Sequence, residues 1–460
     1  MTKTIHQFLG PIAAITAFFL AWHFGMPREA AWTFGVTVWV GWWWISEAIP
    51  IPAASLIPFV MLPVGGVMPF EDASAALGNH VIILFMGAFM LARGIEYSGV
   101  HERIALGLVR TLGGENGRMI VFAFMGSVAF LSMRISNTAA VLALLPVAIA
   151  IASSTDNKRF QIALLLGLAY AASIGGLATL IGTPPNMVFA SVYQTFSGEE
   201  MNFLRWMSYG LPITLLGVPL AAWWLTRGLK LNEALQLKPL DEFSRHEKRA
   251  LAVFGTVVVL WITRTAPFGG WSSWFGLPMV GDATVALAGV VVMFLVPDTR
   301  GGRLLIWERA VDIPWGILLL FASGICLAAG FMQSGLSDII GQALAVYTTL
   351  PIWLLVFLVG MTTSLLTEIT SNTATATLLM PILASTAIAA DLPLELLMIP
   401  AVIACSCAFC LPVATPPNSI VFSSGMVTIN EMAREGIALS VILAIVTAVV
   451  VVGHDFSQVS

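Results

Sequence analysis

The chain reads as an all-α polytopic membrane protein, with about 11 transmembrane helices, two re-entrant hairpins and two inverted-topology repeats, and three observations lead there. Hydrophobic residues fill 58% of the 460 positions and charged residues only 10%, which leaves no way to build a soluble surface. Apolar stretches close to the roughly 20 residues that cross a bilayer recur along the whole length. The tripeptide Ser-Asn-Thr occurs twice, at Ser136-Asn137-Thr138 and Ser371-Asn372-Thr373, and each copy is followed by Thr-Pro-Pro-Asn, at Thr183 to Asn186 and Thr415 to Asn418.

Net charge of −4 says little. Met1 to Gln7 is short and runs into apolar sequence without a processing site, so a retained N-terminus is expected. Cys326, Cys405, Cys407 and Cys410 all lie in apolar segments, which argues against a disulfide framework. With no histidine beside it, the Cys405 to Cys410 cluster reads as helix packing rather than as a metal site.

Positive charge supplies an orientation. With Lys3 cytoplasmic, spans near 8–25, 31–47, 51–64 and 80–98 return the chain inside, where Arg103, Arg110 and Arg118 follow. Lys158 and Arg159 call for the same side, so 119–152 must enter and leave by one face, as a hairpin. Spans near 161–195 and 207–227 lead to a charged loop, 229–249, that carries Arg227 just before it and Lys230, Lys238, Arg245, Lys248 and Arg249 within it, interleaved with Glu233, Asp241, Glu242 and Glu247. Spans near 250–266 and 282–297 reach a second basic loop with Arg300, Arg303 and Arg309, and a span near 314–335 exits. A second hairpin, 350–388, and spans near 393–429 and 434–453 leave an external tail without Lys or Arg. Arg28, Arg205 and Arg264 are exceptions that this topology places outside.

The duplication extends beyond the motifs. Phe85-Met86-Gly87-Ala88 through Ser98-Gly99 aligns with Phe321-Ala322-Ser323-Gly324 through Ser334-Gly335 at an offset of 236, against 235 at the triplet and 232 at the proline motif. The expected organisation is an N-terminal helix over 1–30, a first repeat over 31–228, a cytoplasmic linker over 229–249 and a second repeat over 250–455. Five spans and one hairpin per repeat set the copies in opposite directions, with both triplets meeting near the midplane.

Chemistry follows from what a broken helix offers. A hairpin that turns at Ser-Asn-Thr starts its second helix there, and presents unpaired N–H groups and the positive dipole end to an anion. Pro184-Pro185 and Pro416-Pro417 each remove two donors and break the span around them (161–195 and 393–429) in mid-membrane. The freed carbonyls, with oxygens of Ser132, Ser136, Asn137, Thr367 and Asn372, suit a small hard cation such as sodium. Interhelical glue and a simple kink are the bland readings of such residues, and duplication at nearly equal spacing outweighs them.

On these residues the chain resembles the divalent anion:sodium symporters, the INDY-type dicarboxylate transporters, over almost its whole length. The carriers are both triplets, Thr367-Glu368-Ile369-Thr370, Leu378-Leu379-Met380-Pro381, Leu411 to Asn418 and Ser46-Glu47-Ala48-Ile49-Pro50-Ile51-Pro52. The resemblance implies a homodimer in the cell (inner) membrane, in which a scaffold domain holds a transport domain that moves like an elevator. It places one sodium with Ser132, Ser136, Asn137 and backbone at Gly182, and the other with Thr367, Thr370, Asn372 and backbone at Ala414. Substrate carboxylates would meet Asn137, Thr138, Asn372, Thr373, Thr183, Thr415 and Pro416.

Arg134 departs from the aromatic or apolar residue expected beside the first triplet. It would grip substrate or replace a sodium, pair with Glu368, or snorkel away from the site, and the last two are favoured because a charge buried alone is costly. Glu47 reads as an interfacial carboxylate without a transport role, and His80 and His101 as residues of span boundaries. The expected function is sodium-coupled symport of a small dianion such as succinate, malate or fumarate, with sodium-independent exchange as the alternative. Paired aspartates, nucleophile–base spacings and nucleotide-binding loops are missing from the spans, so neither an enzyme nor a nucleic-acid partner is expected.

Overall fold

The structure is a computed structural model that describes residues 2–112, 116–229, 243–266, 268–298, 302–345 and 350–459. Most of the charged linker, including Lys230, Glu233, Lys238, Asp241 and Glu242, lies outside them, as does Arg300. The described residues form helices and no sheet, with one isolated bridge between Pro297 and Arg303. Seven helices are long and apolar enough to cross a membrane: Lys3–His23, Phe70–Ser98, Lys158–Gly176, Phe203–Leu225, Trp315–Gln333, Asn372–Ala389 and Ile429–His454. The chain is a multi-pass membrane protein.

Among the described residues, further apolar segments expected in the membrane are shorter or interrupted helices. The 51–64 segment is two helices, Ile51–Ala54 and Ile57–Val64, with Pro52 and Pro58 in their first turns. Fourteen residues at 1.5 Å rise would reach about 21 Å, short of a ~30 Å hydrocarbon core. Around the triplets the chain folds as helix, turn, helix: Gly117–Ser132 then Asn137–Ser153, and Ile352–Thr367 then Asn372–Ala389. Around the proline motifs it breaks, Lys158–Gly176 resuming at Pro184–Ser197, and Leu394–Cys405 resuming at Pro416–Phe422 after one 3-10 turn.

Lys158–Gly176 is buried on all sides, as a helix at the centre of a bundle must be. It meets the first hairpin closely: a Cβ on Gly175 would come within 2.4 Å of Ala129 Cα. The Tyr170 hydroxyl donates where Phe409 O (2.8 Å) and Met432 O (3.2 Å) converge, and so ties this helix to the second break and the last helix. Two amphipathic connectors, Val100–Leu112 and Leu336–Ala345, occupy matching places in the two halves. The first packs on the first hairpin and the second on the second.

Charges gather at the helix ends, where pairing relieves their dehydration. Glu435, buried at the start of the last helix, accepts from Arg159 (2.6 Å) and Arg227 (2.8 Å), and the Arg227 guanidinium lies 3.6 Å over the Trp224 ring. Arg103 pairs with Glu247 at 2.7 Å. Arg205 and Arg264, two of the exceptions to the charge rule, are neutralised locally: Arg205 by Glu199 and Glu395, Arg264 by Asp282 at 2.6 Å and Glu200 at 3.1 Å. Glu435→Ala leaves two guanidinium groups facing each other. Because both arginines remain about a third exposed, the expected loss is about 2–3 kcal/mol, below the ~3–5 of a fully buried pair. It is checked by thermal unfolding in detergent against Glu431→Ala.

Candidate substrate and cation site

One cavity of about 620 Å³ is lined by both triplets and both proline motifs. Of the site residues expected from sequence, Ser136, Asn137, Thr138, Gly182, Thr183, Thr370, Asn372, Thr373, Ala414, Thr415 and Pro416 line it. Ser132 and Thr367 do not; they are fully buried directly behind the two asparagines.

The two halves build the same oxygen cluster. Ser132 Oγ lies 2.6 Å from Asn137 Oδ1 and 2.7 Å from Ala172 O, and Thr367 Oγ1 lies 2.7 Å from Asn372 Oδ1 and 3.2 Å from Cys405 O. A hydroxyl has one proton to donate, so each cluster holds more acceptor oxygens than donors. In the first half, backbone closes in as well: a Cβ on Gly176 would meet Asn137 Oδ1 at 2.7 Å, and one on Gly182 would meet Gly176 O at 2.3 Å. Such an excess of acceptor oxygens over donors is the chemistry of a hard-cation site.

Beside each cluster a helix begins at the triplet. Ser136 is the N-cap of Asn137–Ser153, and its hydroxyl accepts from Ala139 N at 3.2 Å; Ser371 occupies the same place before Asn372–Ala389 without a side-chain cap bond. The first residues of both helices line the cavity, and the N–H groups of a helix's first turn lack intrahelical partners that an anion could supply. Thr370 is turned elsewhere, its hydroxyl engaged with Leu366 O and Thr375. Thr183 reaches Ser406 Oγ at 3.3 Å across the halves, whereas Thr415 caps its own helix at Asn418 N.

The breaks are held by asparagines whose role the sequence reading did not isolate, although both end the duplicated Thr-Pro-Pro-Asn. Asn186 Nδ2 donates to Gly176 O (3.1 Å) and Thr179 O (2.9 Å); Asn418 Nδ2 donates to Ala408 O (3.0 Å) and Leu411 O (3.0 Å). Each amide bridges the two sides of a break and gives partners to carbonyls the missing helix turn would have used. Glu368 does related work in the second half, where Oε1 accepts from Cys410 N at 2.8 Å and Oε2 from Leu411 N at 3.0 Å.

That engagement removes one of the three readings of Arg134, its pairing with Glu368. Both carboxylate oxygens are held by backbone donors of the second break, and Arg134 instead donates to Phe130 O at 2.9 Å and lines the cavity. Glu47, read as merely interfacial, lines the opposite wall with Phe89, Arg93 and Pro314, and has a left-handed φ of 46° at the end of its helix. Nothing in its local sequence announces that position, which arises from tertiary packing alone.

With the geometry in place, comparison with known proteins places the chain. A family model described as citrate transporter matches residues 42–396. The sodium-dependent dicarboxylate transporter SdcS of Staphylococcus saprophyticus is 38% identical over 470 residues, covering 96% of this chain and 89% of the relative. The chain belongs to the citrate and sodium-dicarboxylate transporter family. SdcS of Staphylococcus aureus strain NCTC 8325 is 37% identical over 477 residues, covering 97% of this chain and 90% of that one. The fold is also that of the Alcanivorax borkumensis YdaH transporter, whose crystal structure is described as having an unusual topology, at a TM-score of 0.57 and 15% identity over 84% of this chain and 87% of that one.

The paired staples of this family member generate a prediction. Asn186→Leu and Asn418→Leu each strip two buried carbonyls of a donor, at roughly 1–3 kcal/mol for each group left unsatisfied. Each variant is expected to lower the melting temperature and to shrink the further rise that sodium produces. Thermal unfolding across a sodium series checks both effects, and a full sodium response in both variants would show that the amides do not shape the cation clusters.

Proposed function

We propose that the chain is a secondary active transporter that couples sodium to the movement of a small divalent anion, a C4-dicarboxylate such as succinate, malate or fumarate. The observation that carries the reading is one cavity bordered by two oxygen-rich clusters and two helix N-termini, each duplicated in the sequence. Cation and anion requirements meet within a few residues there. The printed names of the SdcS relatives, sodium-dependent and dicarboxylate, agree with this chemistry, while the family description names citrate. One sodium is assigned to Ser132, Ser136, Asn137 and Gly182, the other to Thr367, Thr370, Asn372 and Ala414; Thr370 must rotate from Leu366 O to take part. Substrate carboxylates are assigned to Asn137, Thr138, Thr183, Asn372, Thr373, Thr415 and Pro416.

The movement is proposed to be an elevator. Hairpins and broken helices supply one wall of the cavity, and the other comes from the segments around Glu47, Phe89 and Pro314. Sliding the first wall past the second would carry the site across. Inverted repeats, a homodimer, a cytoplasmic N-terminus and an external C-terminus complete the reading. The orientation is supported by Arg103, Arg159 and Arg227 on the basic side, and by carboxylates that cancel Arg205 and Arg264 on the other. Sodium-independent exchange is the second reading, and the cavity-lining Arg134 favours it.

Charge arithmetic sets the order of binding. A dianion alone is costly in a low-dielectric site, whereas with two sodium ions the cargo is near neutral, so sodium binds first and raises substrate affinity, with the reciprocal effect of equal size. Succinate calorimetry across a sodium series is expected to show affinity climbing with sodium; a flat response sinks symport, and uptake that instead requires internal dicarboxylate establishes exchange. Asn137→Ala and Asn372→Ala are each expected to abolish uptake in proteoliposomes while the protein stays folded. Near-normal uptake in either removes that asparagine from the site.

A further inference from the structure

The first hairpin turns through Met133 and Arg134 just before the triplet, and Arg134 lines the cavity. Its guanidinium sits 3.8 Å from the centre of the Phe130 ring, and Nη1 donates to Phe130 O at 2.9 Å. Both contacts come from its own hairpin and hold the side chain in place. Among the described residues no carboxylate forms an ion pair with it.

The other charges around the cavity are accounted for differently. Arg93 is paired with Glu96 and Asp312, Glu47 lines the cavity without an ion pair to Arg134 among the described residues, and Glu368 is turned into the second break by Cys410 N and Leu411 N. The position itself faces the cavity in both halves: Ile369, the repeat equivalent of Arg134, lines it and is 71% exposed. A planar cation with five donors, one of them shown bonded, therefore stands beside the first helix N-terminus without an anion.

We propose that Arg134 binds one carboxylate of the cargo directly, and that it makes full negative charge at that end of the substrate the property the site selects. The proposal rests on the reading of the cavity as a dicarboxylate site. A helix N-terminus offers about half a unit of positive charge and also accepts neutral oxygens, whereas a guanidinium fork matches a carboxylate with two parallel charge-assisted bonds. Because the matching residue in the second half is isoleucine, the two ends of the site differ: one carboxylate goes to Arg134 and the first triplet, the other to the uncharged end at Asn372 and Thr373.

Calorimetry at saturating sodium with succinate and its diamide, succinamide, which carries no carboxylate at either end, tests this on the full-length protein. Wild type is expected to favour the dianion. Arg134→Gln and Arg134→Met should lose about tenfold or more in succinate affinity and little in succinamide affinity, so the ratio falls by that factor, while Arg134→Lys keeps an intermediate ratio. The sodium-induced thermal shift without substrate should be unchanged in all three. On the wild-type protein, saturating succinate should slow phenylglyoxal modification of Arg134 severalfold, mapped by peptide mass spectrometry. A wild-type ratio in a folded neutral variant overturns the proposal, as does unprotected Arg134 should neither neutral variant fold. If wild type binds no succinate in sodium, the dicarboxylate reading fails and this inference falls with it; binding with unaltered selectivity in the variants removes Arg134 alone.

Discussion

Everything in this molecule that bears on cargo depends on keeping two helices broken inside a dry environment. An interrupted helix leaves carbonyls and N–H groups without their partners, and each such group costs several kcal/mol where no water can reach it. The protein answers with side chains of fixed donor pattern. Asn186 and Asn418 each spend both amide N–H bonds across a break, and Glu368 spends both oxygens on two N–H groups near the end of the second unwound stretch, those of Cys410 and Leu411. With those groups satisfied, the oxygens of Ala172, Cys405 and the asparagines of the triplets share a single hydroxyl donor in each half, Ser132 and Thr367, and so gather more acceptors than donors.

The division of labour between the two motifs follows from their chemistry. Pro-Pro prevents continuation of the helix and removes donors that would otherwise compete for the freed carbonyls. Ser-Asn-Thr starts a helix and brings an amide oxygen back onto the hydroxyl one turn behind it, Ser132 for Asn137 and Thr367 for Asn372. Each asparagine thereby has its side-chain oxygen in the oxygen cluster and its backbone N–H in the first turn of the helix that follows.

Much of this was legible in the sequence, and the limits have physical causes. Uncharged polar residues are conspicuous against apolar surroundings, so the triplets and proline motifs declared themselves, and their duplication gave the two halves. Backbone oxygens such as Ala172 O and Cys405 O carry no signature in a side-chain alphabet. The 51–64 segment looked like a span because hydropathy reports composition, while Pro52 and Pro58 at two successive helix starts decide length. Glu47 and Arg93 entered the cavity through packing between distant segments. For Arg134 the cost of a lone charge left pairing with Glu368 or snorkelling as the favoured readings, and the backbone donors that occupy both Glu368 oxygens, which remove the first, come from a distant segment no local pattern reveals.

The symmetry of the two halves is kept where structure must be held and lost where cargo would be met. Oxygen clusters and asparagine staples correspond atom for atom. Around the cavity the halves diverge: Ser136 caps its helix and Ser371 does not, Thr183 crosses to Ser406 while Thr415 turns to its own helix, and Arg134 stands opposite Ile369. A perfectly two-fold site would treat both ends of a cargo alike and could not distinguish a symmetric dianion from one that differs at its ends. Among the groups that hold the breaks only Glu368 lacks a counterpart, since Met133 stands in its place in the first half, and the other differences lie around the cavity, where they leave the asparagine staples undisturbed. The duplicated motifs thus supply a matched pair of oxygen clusters, and a few asymmetric residues shape the cavity they border.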